Sequence, residues 1–108
     1  MGDVTDAAMM AAMDGDALEV PLPAQLDQKA AYALAETLLA ARGGAVRLNG
    51  AAVQRLGGQS LQVMLAGRTA WAADAVSFVV AESSAELTAA LVLLGAGELF
   101  AFETGAGA

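Results

Sequence analysis

Between Val46 and Val80 the apolar pattern changes period twice, and no other feature of the chain constrains its fold as much. Val46-Arg47-Leu48-Asn49-Gly50 alternates apolar and polar residues and ends on Asn-Gly, which reads as a strand closed by a turn. From Leu61 the spacing becomes helical. Leu61, Met64, Leu65, Trp71 and Ala72 line one side of a helix predicted from about Gly58 to Ala73. Val76-Ser77-Phe78-Val79-Val80 is then a β-branched strand. Strand, helix and strand joined by loops of a few residues predict a βαβ unit with parallel pairing and a right-handed crossover.

The flanks extend this alternation. Ala17 to Pro23 alternates and then meets Pro21 and Pro23, which predicts a short strand at a sheet edge. Asp27 can cap a helix from about Gln28 to Ala41, with Ala31, Leu34, Ala35, Leu38 and Leu39 along one side and Gly43-Gly44 beyond its end. After the second strand, Ser83 and Glu86 have capping-box spacing. Leu87, Ala90, Leu91 and Leu94 continue a third helix, and Gly95 lies just past it. Leu99 to Phe102 reads as a short strand or an apolar plug. The expected fold class is α/β, with a mixed, mostly parallel sheet of about four strands and three or more helices.

A length of 108 residues fits one domain with a single core. Residues 17–103 are expected to form it. Residues 1–16 read as an alanine- and methionine-rich arm. Thr5 or Asp6 can cap a short helix there, Asp14-Gly15-Asp16 can end it, and Met9 and Met13 stand four apart; a mobile leader is the other reading. Residues 104–108 are a small-residue tail, expected to be disordered. Asp14, Asp16 and Glu19 resemble a fragment of a calcium loop but lack its regular spacing and distal glutamate, so no metal site is assigned. Gly67 is an internal weak point worth about 1 kcal/mol against alanine and permits close helix packing. Trp71 suits either the core or a partner anchor.

Twelve carboxylates against five basic residues leave a net charge of −7, and Lys29, Arg42, Arg47, Arg55 and Arg68 are scattered along the chain. That balance disfavours nucleic acid and anionic lipid surfaces as partners. The chain has no cysteine and no histidine, which removes thiolate nucleophiles, disulfides, the common zinc ligand sets and every Ser-His or Cys-His dyad. Charged residues interrupt the most apolar stretches, so no segment spans a bilayer, and a cytoplasmic location is expected.

The candidate site is the helix entry at Gly57-Gly58. A helix start exposes unpaired N–H groups and the positive end of the helix dipole, and glycines let a phosphate or a partner backbone come close. It is no Walker loop, because no lysine follows the glycines, and no hydrolase elbow, because Gln62 stands where the second glycine belongs. Nucleotide binding is therefore the weaker alternative. Ser60 is a possible phosphoacceptor for a kinase, or else satisfies first-turn donors of its own helix.

At these residues the sequence resembles the STAS domain family over roughly Leu18 to Phe100, whose bacterial members include anti-sigma factor antagonists and components of transporters. Val53-Gln54-Arg55-Leu56 matches the family's approach to its helix, and Leu61-Gln62-Val63-Met64-Leu65 matches the helix start. Trp71 to Val80 and Ser84 to Leu94 are similar to its next strand and final helix. The family carries Asp-Ser or Asp-Thr where this chain has Gly57-Gly58, and glycine where it has Ser60. Leu56 to Val63 looks most like small members from chemotaxis and signalling clusters. The resemblance implies a non-enzymatic module without cofactor. It would dock a kinase-like or other signalling protein through Gly57, Gly58, Gln59, Ser60 and Leu61, without the usual phosphorylation switch. Two alternatives come with it: a structural cytosolic subunit of a lipid-transport ABC system, and an antagonist phosphorylated at Ser60.

Overall fold

A computed structural model describes residues 17–103. The arm expected over 1–16, the tail over 104–108, and Asp14 and Asp16 of the calcium-loop fragment lie outside the described residues. Nine elements follow in order: β1 (Leu18–Pro21), β2 (Gln25–Leu26), α1 (Gln28–Ala41), β3 (Val46–Asn49), β4 (Arg55–Leu56), α2 (Gly58–Ala73), β5 (Phe78–Ala81), α3 (Ala85–Leu93) and β6 (Ala101–Glu103). The fold is α/β, with three helices among the described residues and a four-stranded sheet ordered β1-β3-β5-β6 in which every neighbouring pair is parallel. β1 is an edge strand, as Pro21 within it favours.

The strand order sets the layers. Each crossover advances one way across the sheet, and right-handed crossovers that all advance one way put their helices on a single face. Val20, Val46, Leu48, Phe78 and Val80 point to that face and join Leu34, Leu38, Met64, Trp71, Leu87 and Leu91 in one core. The opposite face carries Glu19, Arg47, Asn49, Val79, Ala101 and Glu103, which are not part of it.

Each helix begins and ends for a local reason. Asp27 caps α1 by accepting the Ala30 N–H at 2.9 Å, and Gly43, with φ of +95°, takes the left-handed turn after it. The cap of α3 is Ser84, which accepts the Leu87 N–H at 2.9 Å and donates to the Val53 carbonyl at 2.6 Å. The expected cap, Ser83, sits one residue too early, and its hydroxyl pairs with Thr88 instead. Gly95, with φ of +76°, follows α3 as the sequence predicts.

Two expectations about helix faces change. Leu39 of α1 is 72% exposed, so the buried stripe narrows to Ala31, Leu34 and Leu38. In α2 the buried stripe is Ser60, Met64, Gly67 and Trp71, rotated from the predicted side. Gly67 permits a close approach. A Cβ there would stand 2.9 Å from the Phe78 ring and 3.0 Å from Leu38. Trp71 is core: it is 2% exposed, donates its Nε1–H to the Gly44 carbonyl at 2.7 Å, and packs against Phe78 at a centroid distance of 5.6 Å.

Candidate functional site

The glycine turn is built by a second, smaller sheet. β2 and β4 pair in parallel, Gln25 with Arg55 and Leu26 with Leu56, and the Gly57 N–H donates to the Leu26 carbonyl at 2.9 Å. Because β2 leads directly into α1 and β4 directly into α2, this pairing sets the starts of the two helices side by side. A hollow of 340 Å³ opens in front of them, lined by Gln25, Leu26, Asp27, Arg55, Leu56 and Gly57.

The two helix starts differ in chemistry. The Asp27 side chain covers the first turn of α1, whereas Gly57 has no side chain with which to cap α2. The first intrahelical bond of α2 runs from the Leu61 N–H to the Gly57 carbonyl, so the N–H groups of Gly58, Gln59 and Ser60 precede the helical ladder. Their aligned dipoles favour an acceptor at that turn. Arg55, exposed on the rim, adds a positive charge.

Gly57 and Gly58 have different reasons to be small. A Cβ on Gly57 would lie 3.0 Å from the Leu26 carbonyl oxygen, so the glycine allows β2 and the α2 start to close on each other. A Cβ on Gly58 would meet nothing within 4 Å. Nothing inside the described residues calls for glycine there, and its effect is to leave the first turn of α2 bare to the outside.

Of the five residues expected to form a docking surface, Gly58 and Gln59 are exposed and Gly57 is half-buried. Ser60 and Leu61 turn inward. Ser60 is 0% exposed and donates its hydroxyl to the Asp27 carbonyl at 3.1 Å, while Leu61 packs against the core. Ser60 thereby ties the start of α2 to the start of α1. The accessible hydroxyl expected of a phosphoacceptor is not there, because positions 60, 64, 67 and 71 share one buried helical face. Conversely, Gln25, Asp27 and Arg55 line the hollow and were not assigned to it from sequence. Their only signal is adjacency to a helix start, since two-residue strands carry no periodicity.

Among the described residues no group of three His, Cys, Asp or Glu side chains is placed to hold a metal ion. No helix among them is long and apolar enough to cross a membrane. Comparison with models of known families, with curated proteins and with solved structures finds no match, so the STAS resemblance stands on the residues quoted for it alone.

Proposed function

We propose that this chain is a non-enzymatic protein-binding module of the STAS type in bacterial signalling, and that its partner docks on the first turn of α2 and the hollow beside it. The observation that carries this reading is the bare turn at Gly58, where the N–H groups of Gly58, Gln59 and Ser60 precede the helical ladder, no side chain caps them, and no packing explains the missing side chain. The partner's complementary group is a hydrogen-bond acceptor, either a main-chain carbonyl or a carboxylate. The absence of histidine and cysteine supports a binding role over nucleophilic chemistry. The burial of Ser60 favours a module without a phosphate switch over an antagonist phosphorylated at that position.

Affinity capture with the full chain tests the site. A bulky Gly58→Trp side chain should project into open space, leave the unfolding curve unchanged and cut partner recovery at least ten-fold, on the order expected of an interface centre. Ala72→Trp, exposed at the far end of α2, should leave recovery intact. Equal recovery of the partner by both folded variants would sink the assignment.

A further inference from the structure

The two edges of the main sheet are finished differently. Along a strand of a parallel pair, the main-chain groups of successive residues point alternately to one side and the other. On β1 the N–H groups of Leu18 and Leu22 donate to the Ala45 and Asn49 carbonyls, so Glu19 and Pro21 face outward, and Pro21 has no N–H to offer a further strand. On β6 the Glu103 carbonyl accepts the Glu82 N–H at 3.4 Å, so Ala101 and Glu103 face β5, while the N–H and C=O of Phe102 point outward. β6 is the last strand of the sheet, all three of its residues are exposed, and it contains neither proline nor lysine. An edge of this kind is a template for another strand.

Apolar surface gathers at the same edge. Right-handed crossovers that all advance one way set α1, α2 and α3 in order across the sheet, so α3 is the last helix and its outer side overhangs β6. Among the described residues eight large apolar side chains are exposed, and five of them, Val92, Leu93, Leu94, Leu99 and Phe102, belong to α3, β6 and the turn between them. No charged residue interrupts the chain from Leu87 to Gly97. Phe102 is in register with the core residue Val80, so its ring lies on the helix side of the sheet. We propose that a second copy of this chain docks at this edge, its β6 antiparallel to the first about a two-fold axis at Phe102. The two four-stranded sheets then join into one, with both helix layers on the same face.

Register, charge and area select a second copy over an isolated peptide. With the axis at Phe102, the two Phe102 residues stand opposite each other and exchange both N–H···O bonds, and their rings form an aromatic cross-strand pair. Each Glu103 then stands opposite an Ala101, so no carboxylate meets its symmetry mate directly, and Arg47 of its own copy already balances it. A lone strand would cover the edge but leave the overhang of α3 in water, whereas a second copy brings its own helix layer at the same height. At roughly 150 Å² or more for a large apolar side chain, exposures from 39% for Phe102 to 84% for Leu93 amount to about 400 to 500 Å² over the five residues. A specific interface needs about 1,000 Å² in total, about 500 Å² from each copy, so the two patches together are of the required size.

Sedimentation equilibrium of the full chain tests the proposal. At about 100 μM, above the micromolar dissociation constants of small interfaces, the chain should sediment at twice its own mass. Phe102→Pro removes the outward N–H and the ring without breaking a bond to β5, and proline is accepted on edge strands. Leu93→Glu puts a carboxylate on the most exposed of the five side chains. Each variant should raise the dissociation constant of the dimer at least ten-fold with an unchanged circular dichroism spectrum. Tyr32→Glu, exposed on α1 at the other end of the helix order, should leave it unchanged. A chain that stays monomeric at that concentration overturns the proposal. So does a dimer that folded Leu93→Glu forms as tightly as the parent, which holds even where Phe102→Pro disturbs β6.

Discussion

Gly57→Ala and Gly58→Ala are one position apart and should move stability in opposite directions. At Gly57 the new methyl meets the Leu26 carbonyl at 3.0 Å, and that oxygen is fixed by the Gly57 N–H, so the variant should lose about 1 kcal/mol. At Gly58 the methyl meets nothing and the helix gains a better former, worth about 0.5 kcal/mol. Urea denaturation of the pair reads both signs, and a loss at Gly58 would mean that its glycine has a structural role after all. Ser60→Glu is the sharper probe of the neighbouring hydroxyl. A carboxylate forced into this fully buried position, where the present hydroxyl bonds a main-chain carbonyl, should cost at least about 3 kcal/mol. A folded Ser60→Glu chain of near-normal stability would show that the site opens readily and would restore the phosphoacceptor reading. The burial of Ser60 was nonetheless legible: it lies four, seven and eleven residues before Met64, Gly67 and Trp71. The apolar residues Leu61 and Leu65 drew the face one residue round, because a serine and a glycine on the true stripe carry no hydrophobic signal.

The three helices show which features of an element a sequence declares. The spans of α1 and α2 follow from apolar spacing and terminal residues, and Gly43 and Gly95 mark the ends of α1 and α3 where the backbone takes positive φ, whereas past the end of α2 it does so at Ala75, with φ of +56°, and no glycine announces it. The pairing of β2 with β4 was not legible. Its bonds are main-chain bonds between segments thirty residues apart, and any side chains would have served. Yet this pairing brings Asp27, Arg55 and Gly57 to one hollow, so the candidate site was readable as a turn and unreadable as a place. Two substitutions test how the helices are held. Asp27→Ala removes the only side-chain cap among these two adjacent starts and should cost about 1 kcal/mol. Gly67→Ala improves helix propensity by about 1 kcal/mol but drives a methyl to 2.9 Å from the Phe78 ring, where overpacking costs about 1 to 3 kcal/mol. A net loss near 1 kcal/mol is expected from thermal or urea unfolding. A gain would mean that Phe78 and Leu38 yield without cost and that the α1–α2 spacing is not set by Gly67.

At the scale of the whole molecule, the one-way strand order explains both what the fold offers and what it lacks. Doubly wound sheets bind ligands where the strand order reverses, and a sheet ordered β1-β3-β5-β6 has no such reversal. Its candidate site is displaced to the small sheet at the helix starts. The same topology leaves one sheet face without helices among the described residues, and that face is held by charge. Arg47, central on β3, pairs with Glu19 on β1 at 3.5 Å and reaches across β5 to Glu103 on β6, while Asn49 donates to Glu19 at 2.8 Å. One guanidinium thus links both edge strands. The carboxylates are more than two-fifths exposed, so solvent screening holds the combined contribution to about 1 kcal/mol. Arg47→Met keeps an apolar stem over the sheet while removing the charge, and leaves Glu19 and Glu103 without their cation. It should lose about 1 kcal/mol in urea denaturation at low ionic strength, and the loss should shrink in 1 M sodium chloride, where the screening length falls to about 3 Å. An equal loss at both salt concentrations would assign Arg47 to packing and leave the two edges of the sheet joined by main-chain bonds alone.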